Sequence, residues 1–273
     1  MTVMTHSEAA PTPPSSPAAA NRPVPGGPGP WSVYRAMLRW RLFSIGPTLP
    51  IFVIVQALMA AGIIVGFGLL IPDIDALPST ALLMSTGAPT ALLMTVGLVM
   101  VPQVVAQARA NGAFAYTRAL PVPRPILLAT DLSLWTLIAL PGIAVAVGVA
   151  WLRFGIPLDI DWPLLVTASL LVTVMAASVG YAIAVSLQPM VAQALTQVLV
   201  FFILLFSPVT FPTSQLPHWF QTAHDWLPIR PAADLLRAGL AQDAYAWQDR
   251  DLFVLLVWMV VSLGVCLRAL TRR

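Results

Sequence analysis

Side chains that could act as nucleophiles, general acids or metal ligands are scarce in this sequence. It contains no lysine, which excludes a phosphate-binding loop of the G-x-x-x-x-G-K-[ST] type and ATP hydrolysis by that route. The one glutamate, Glu8, lies in a proline-rich tail, which excludes an H-E-x-x-H zinc protease. Cys266 is the single cysteine, which excludes an intrachain disulfide and a multi-cysteine metal site. We therefore expect no catalytic residues, no cofactor and no metal in this chain.

The histidines do not change this expectation. His6 lies in the tail, while His218 and His224 are six residues apart in a polar segment that offers no third ligand. We interpret the last two as solvated loop residues.

The elements that carry these side chains belong to a membrane protein. Of the 273 residues, 58% are hydrophobic and 9% are charged, and mean hydropathy is +0.84, whereas soluble domains carry about 25% charged residues. A soluble enzyme is excluded. The net charge of +3 forms no basic patch, so we expect no nucleic-acid partner.

Six apolar stretches follow a tail at 1–30 whose proline-rich composition predicts disorder. Each stretch is close to the ~20 residues that a transmembrane helix needs. Pro189 separates the fourth from the fifth, because the combined stretch is too long for one crossing. The predicted spans are 48–71, 88–107, 126–152, 163–187, 192–211 and 252–270.

A helix at 31–43 precedes the first span. Its apolar side chains recur at helical spacing, while Arg35 and Arg39 fall on the other side. This pattern predicts an amphipathic helix in the membrane interface. The alternative is an extension of the first span, although Pro47 and Pro50 mark a break.

Arginine placement predicts the orientation. Six crossings put both termini and ten of the 14 arginines on one side, and leave Arg153, Arg230, Arg237 and Arg250 on the other. By the positive-inside rule both termini are cytoplasmic. The arginine-only basic set with abundant Ala and Pro suggests a GC-rich bacterial genome, so we expect the plasma (inner) membrane of a bacterium.

Two connections are unusual. The cytoplasmic connection 109–124 predicts a short surface helix at 112–120, ended by Pro121, with Tyr116 and Arg118 exposed to a cytoplasmic partner. The alternative is an ordinary basic loop. The outer segment 212–251 is too polar to span but rich in aromatic residues, which favours a pair of short re-entrant or interfacial helices over a floating loop.

These features resemble the membrane subunits of type-2 ATP-binding-cassette exporters, the ABC-2 permeases, over about 31–273. The cytoplasmic connection reads G-x8-P-V-x-R from Gly112 to Arg124, and the outer segment carries S-P-x-x-F-P, L-P-x-W and D-x-x-R. The outer motif residues are Ser207, Pro208, Phe211, Pro212, Leu216, Pro217, Trp219, Pro228, Asp234 and Arg237. Two departures are Arg109, where relatives often have an acidic residue, and Leu227, where they have Asn.

The resemblance implies an all-α polytopic fold with six transmembrane helices, and a permease that exports an amphipathic drug or lipid-like substrate. Energy comes from a separate ATPase subunit, present in two copies, which binds ATP and Mg. A second permease copy or a paralogue completes the path among membrane lipids. The residues implied in ATPase coupling are Arg35, Arg39, Gly112, Tyr116, Arg118, Pro121 and Arg124. Those implied in the outer re-entrant segment are Pro208, Pro212, Pro217, Trp219, Pro228, Asp234 and Arg237.

Polar and aromatic residues inside the spans are candidates for the substrate path. They are Gln56, Gln193, Gln197, Phe201, Phe202 and Phe206. The alternative for them is interhelical hydrogen bonding and packing. Asp131 could pair with Arg124, face the ATPase or be solvated at the interface. A membrane scaffold or assembly factor, and a proton-coupled secondary transporter, stay open as alternative functions.

Overall fold

The computed structural model describes residues 29–70, 78–155, 158–206, 209 and 216–271. Most of the predicted disordered tail lies outside this part of the chain, as do Ser207, Pro208, Phe211 and Pro212 of the outer motif.

Every element in the described residues is helical, which confirms the all-α polytopic membrane fold. The α-helices are α1 Pro30–Ile45, α2 Leu49–Leu70, α3 Pro78–Thr95, α4 Val101–Ala110, α5 Ala113–Ala119, α6 Arg124–Phe154, α7 Trp162–Ser186, α8 Pro189–Phe206, α9 His218–Trp226, α10 Ile229–Leu240 and α11 Asp249–Thr271. A 3₁₀ turn, Gly46–Thr48, joins α1 to α2, and a π-helical segment, Val96–Met100, joins α3 to α4.

Within the described residues, five helical stretches are long and apolar enough to cross a membrane. They are Pro30–Gly66, Ser79–Ala110, Arg124–Phe154, Trp162–Ser186 and Asp249–Thr271. The predicted fifth span coincides with α8, whose 18 residues are at the short end of the usual range. Six crossings therefore stay a prediction.

The second membrane helix starts about ten residues earlier than the hydropathy pattern indicates. Its first half is rich in Ser, Thr and Gly, which lower the apolar score. The hydroxyls are satisfied inside the helix: Ser85 donates to the Ala81 carbonyl at 2.7 Å and Thr86 to the Leu82 carbonyl at 2.8 Å. This half can therefore be buried, and Ser85 and Thr86 are.

The contacts show that α1 does not continue the line of α2. Along α2, Phe52 packs edge-on against Trp135 and Gln56 donates to the Ile138 carbonyl at 2.7 Å, so α2 runs parallel to α6. On α1, Tyr34 hydrogen-bonds Ser133 at 2.7 Å. An extension of α2 would have carried Tyr34 past the start of α6, so α1 crosses α6 instead.

The remaining long helices alternate in direction. The α3–α4 stretch runs parallel to α7, because Gly97 lies against Ala176 and Arg109 reaches the carbonyl of Leu187. Helix α8 runs opposite to α4, since Gln193, near the start of α8, hydrogen-bonds Gln107 near the end of α4. Helix α11 runs parallel to α7. Leu164 and Leu252, near their starts, line one cavity, and Ser178 and Ser262 bond at 2.6 Å further along.

Small residues let α7 approach the π-helical segment closely. A Cβ built on Gly97 would lie 2.6 Å from the carbonyl carbon of Ala176, and one on Gly180 would lie 2.8 Å from Cδ of Pro102. No side chain fits at either position unless the helices separate. This is the close helix packing that small residues allow in membranes.

Candidate coupling surface and substrate path

Helix α5 forms one side of the candidate coupling surface. It begins after Gly112, whose φ of +82° is in the left-handed region that favours glycine, and the Asn111 side chain accepts a hydrogen bond from Ala113 N at 3.1 Å. It ends at Ala119, and its C-cap residue Leu120 directly precedes Pro121. The structure thus has a helix at Ala113–Ala119, within the predicted 112–120.

Of the two α5 side chains expected to be exposed, Tyr116 is and Arg118 is not. Tyr116 is 67% exposed. Arg118 is half-buried and donates to the Leu270 carbonyl at the end of α11, at 3.0 Å. Arg118 turns towards α11 because the last carbonyls of a helix lack intrahelical partners and attract a cation.

The C-terminal part of α1 faces α5 across a small cavity. Arg41 and Ile45 of α1 line a cavity of about 110 Å³ together with Ala113, Phe114 and Thr117 of α5. The opposite side of α1 exposes Arg35 and Arg39. The structure therefore brings Arg35, Arg39, Gly112, Tyr116 and Pro121 to one end of the bundle.

A buried ion pair at the base of this cavity joins α1 to the spans. Arg41 Nη2 lies 3.1 Å from Asp131 Oδ1, and the Tyr181 hydroxyl donates to Asp131 Oδ2 at 3.4 Å. Of the partners that the sequence interpretation offered to Asp131, Arg124 is wrong. Arg124 instead donates to the Arg118 carbonyl, and α1 delivers Arg41 because it crosses α6.

Arg109, which departs from the family pattern, caps the end of α7. Its guanidinium donates to the carbonyls of Ala184 and Leu187, the second at 2.6 Å. Spacing alone gave no signal for this contact, since the partners lie more than 70 residues apart.

The predicted path residues divide into three groups. Gln193 and Gln197 of α8 line a pocket of about 570 Å³ together with Gln103, Val104, Gln107, Ala108 and Asn111. Gln56 is 2% exposed between α2 and α6, where it bonds a backbone carbonyl, and it has no place in this pocket.

The third group is aromatic. Phe202 and Phe206 join Phe220 and His224 of α9, with His224 ring centroids 5.7 Å from Phe202 and 4.6 Å from Phe220. Phe201 is 63% exposed on another side of α8 and does not take part. The three phenylalanines therefore do not form one cluster, because adjacent helical positions point about 100° apart.

His224 corrects the sequence interpretation. It is fully buried by the aromatic cluster rather than solvated, while His218 is exposed as expected. Burial lowers the pKa of the His224 imidazole, and the positive charge of Arg230 lowers it further, against the raising effects of the Phe206 backbone and of Asp225. An imidazole in this setting stays neutral to a lower pH than one in water.

Helices α9 and α10 form the outer segment. Pro217 and Pro228 precede the first turns of α9 and α10, and Trp219 is exposed. Trp258 of α11 donates to the Trp226 carbonyl at 2.9 Å, nine residues into that helix. The two helices thus pack beside the long helices and do not stand clear of them.

Asp234 and Arg237 hold α10 in the bundle. Arg237 is 3% exposed, donates to Asp234 at 3.2 Å and to the Val209 carbonyl at 2.6 Å. Burial lowers the pKa of the Arg237 guanidinium, and the Asp234 carboxylate opposes the shift. Gly239 lies so close to α7 that an added Cβ would sit 2.9 Å from the Leu165 Cα.

Asp234 and Arg237 also stand at one end of a row of alternating charges that joins α9, α10 and α11. Neighbouring members are ion-paired at distances that reach 3.6 Å. In order they are Asp251, Arg250, Asp225, Arg230, Asp234 and Arg237. Paired in this way, the charges stabilise one arrangement of α9, α10 and α11.

The described residues thus form an all-helical membrane bundle with exposed arginines on α1 and a packed outer segment. The profile of the ABC-2 type transporter family matches residues 33–241. A comparison with curated proteins finds no significant match. The chain belongs to the ABC-2 type transporter family. This family is the permease class, which works with an ABC ATPase subunit.

Proposed function

We propose that the chain is the permease of an exporter that moves an amphipathic drug or lipid-like substrate out of a bacterial cell. Two copies of a cytoplasmic ATPase supply the energy, and a second permease, identical or paralogous, completes the path. ATP and Mg bind to the ATPase. The termini of the permease lie in the cytoplasm, on the arginine-rich side.

The observation that carries this proposal is the meeting of α1 and α5 at one end of the molecule. Exposed Arg35, Arg39 and Tyr116 offer a surface for the ATPase. The buried sides of the same helices are bonded to the spans, through Arg41 to α6 and through Arg118 to α11. A displacement of this surface is therefore passed to the membrane helices.

The state of Asp131 supports this function over proton-coupled transport. A carboxylate that relays protons must be able to take one up and give it away. Asp131 is instead ion-paired with Arg41 and accepts from Tyr181. This is the arrangement of a structural ion pair.

The test is ATP-dependent transport of a fluorescent amphiphile into inverted membrane vesicles that contain the chain and its ATPase. Gly112→Pro places a residue with φ near −65° where the chain needs +82°, so we expect transport to fall to background. Gly148→Ala is the matched control, since a Cβ there meets open space.

The other possible results of this transport assay distinguish between the alternative functions. Normal transport by Gly112→Pro contradicts the role of α5. Co-purification with the ATPase and no transport by the native chain favours a scaffold, and transport without ATP favours a secondary transporter.

A further inference from the structure

We infer that the pocket between α4 and α8 binds the head group of the transported molecule and selects an uncharged, hydrogen-bonding head group. This inference rests on the proposed function. The expected ligand has a head group that carries hydroxyl or amide groups, such as a glycosyl unit.

The pocket surface consists mainly of carboxamides. Gln103, Gln107 and Asn111 come from α4 and its C-terminus, and Gln193 and Gln197 come from α8. Each carboxamide offers two donors and an acceptor. Hydroxyl and amide groups also donate and accept, so the two sets of groups are complementary.

One contact shows that the amides on the two helices are within reach of the same small group. Gln193 Nε2 donates to Gln107 Oε1 across the pocket at 3.4 Å, the long end of the hydrogen-bond range. A hydroxyl placed between them can replace this long bond with shorter ones. The pocket volume of about 570 Å³ suits a head group of one or two sugar rings.

Charge is the second part of the argument. None of the described residues that line the pocket has an ionisable side chain. Arg109 is next in sequence to Ala108, but its guanidinium is turned to α7, where it caps two carbonyls. A charged head group would therefore meet no counter-ion in the pocket, whereas a hydroxyl or amide group finds donors and acceptors there.

The apolar part of an amphipathic molecule has a surface next to the pocket. Val198 and Phe201 follow Gln197 on α8 and are 63% exposed. Val104, a lining residue, is also exposed, on α4. A molecule with its head among the amides can thus lay its chain along α8.

The experiment measures photo-crosslinking to the purified full-length chain in phosphatidylcholine nanodiscs. Three probes share a dodecyl chain with a diazirine near the head and carry a glucoside, a trimethylammonium or a sulfate head group. Specific labelling is the part displaced by an excess of the same probe without diazirine. We expect specific labelling of α4 and α8 peptides by the glucoside, several-fold above either charged probe.

Variants test the role of the amides. Loss of one amide hydrogen bond weakens binding about three- to ten-fold, so Gln193→Leu and Gln197→Leu should each lower glucoside labelling by that factor. Gln197→Glu should lower glucoside labelling and raise trimethylammonium labelling. Gln248→Leu and Gln248→Glu, at an exposed outer position, are the matched controls and should leave all three unchanged.

Three results overturn the inference. The first is equal labelling by the three probes, and the second is glucoside labelling that is unchanged in both leucine variants. The third concerns the variant Gln197→Cys: it oxidises to a covalent dimer, while the glucoside does not label the pocket. In the last case the amides face a second copy of the chain.

Binding in nanodiscs needs no ATPase, so the two proposals fail separately. Selective binding without ATP-dependent transport contradicts the proposed function. Transport without head-group selectivity contradicts only this inference.

Discussion

Arg41 and Asp131 illustrate how single residues connect α1 to the long helices. Each is largely enclosed, with side-chain exposure of 26% and 14%, and each balances the other at 3.1 Å. A buried ion pair of this kind adds little net stability compared with apolar residues, but removing one partner leaves a costly charge. The packing of α1 against α6 is therefore sensitive to substitution of either Arg41 or Asp131 alone.

Asp131→Ala should destabilise the chain by about 3 kcal/mol, because it leaves the Arg41 charge without its partner. The double variant Arg41→Met with Asp131→Leu should recover most of this loss. Thermal unfolding of the purified protein measures both effects, with exposed Arg39→Gln as the control. A double variant as unstable as the single one would show that the charge pair is not the cause.

The buried imidazole of His224 predicts a pH-dependent stability. Its pKa is lowered in the folded chain, so unfolded chains take up the proton first as the pH falls. The stabilisation is fully present above the unfolded pKa of about 6.5 and is lost progressively below it. Melting temperatures at pH 7.5 and pH 5.5 should differ less in His224→Phe than in the native chain.

His218→Phe is the matched control for this measurement, since His218 is exposed on the same helix. It should keep the native pH dependence. If His224→Phe also keeps it, another group is responsible.

At the scale of helices, glycines decide how closely α7 approaches the π-helical segment. Gly180→Ala puts a Cβ against the Gly97 carbonyl and 2.8 Å from the Pro102 ring. Overpacking of this kind costs roughly 1–3 kcal/mol, so the melting temperature should fall clearly. Gly148→Ala, which meets open space, should change it little. Equal effects of the two variants would indicate that helix propensity, and not packing, is measured.

Sequence reasoning predicted where helices lie better than where they begin or what they touch. Hydropathy and proline positions placed α6, α7 and α11, whose apolar runs are long. The pattern could not show that Ser85 and Thr86 belong to a buried helix, because their hydroxyls are satisfied by local carbonyls. It also could not assign Arg41 to Asp131, since that contact depends on the angle at which α1 crosses α6.

In the candidate site, too, sequence motifs identify residues but not the contacts that they make with other helices. The family resemblance singles out Asp234 and Arg237, and the structure adds that they pair with each other. The burial of His224 depends on Phe202 and Phe206 of another helix, for which neighbouring residues in the sequence give no signal.

For the whole molecule, the alternating helix directions predict which positions share a compartment. The predicted six crossings would place Tyr116 in the cytoplasm and Trp226 outside, and both side chains are exposed. Tyr116→Cys and Trp226→Cys should therefore differ in labelling by a membrane-impermeant maleimide in intact cells. Only Trp226→Cys should react, with Tyr116→Cys reacting after lysis.

The native chain is the control for this labelling, because Cys266 is its single cysteine and is buried. Reaction of both variants in intact cells would place them on the same face and contradict the six-crossing arrangement.

The π-helical segment Val96–Met100 determines in which direction around the helix axis the side chains of α4 point. A π turn holds one residue more than an α turn, and one residue corresponds to about 100° of rotation. Without that residue the carboxamides of Gln103 and Gln107 would be turned out of phase with those of α8. The direction in which the α4 carboxamides face thus depends on one inserted residue in the middle of the helix, where Gly97 is pressed against α7.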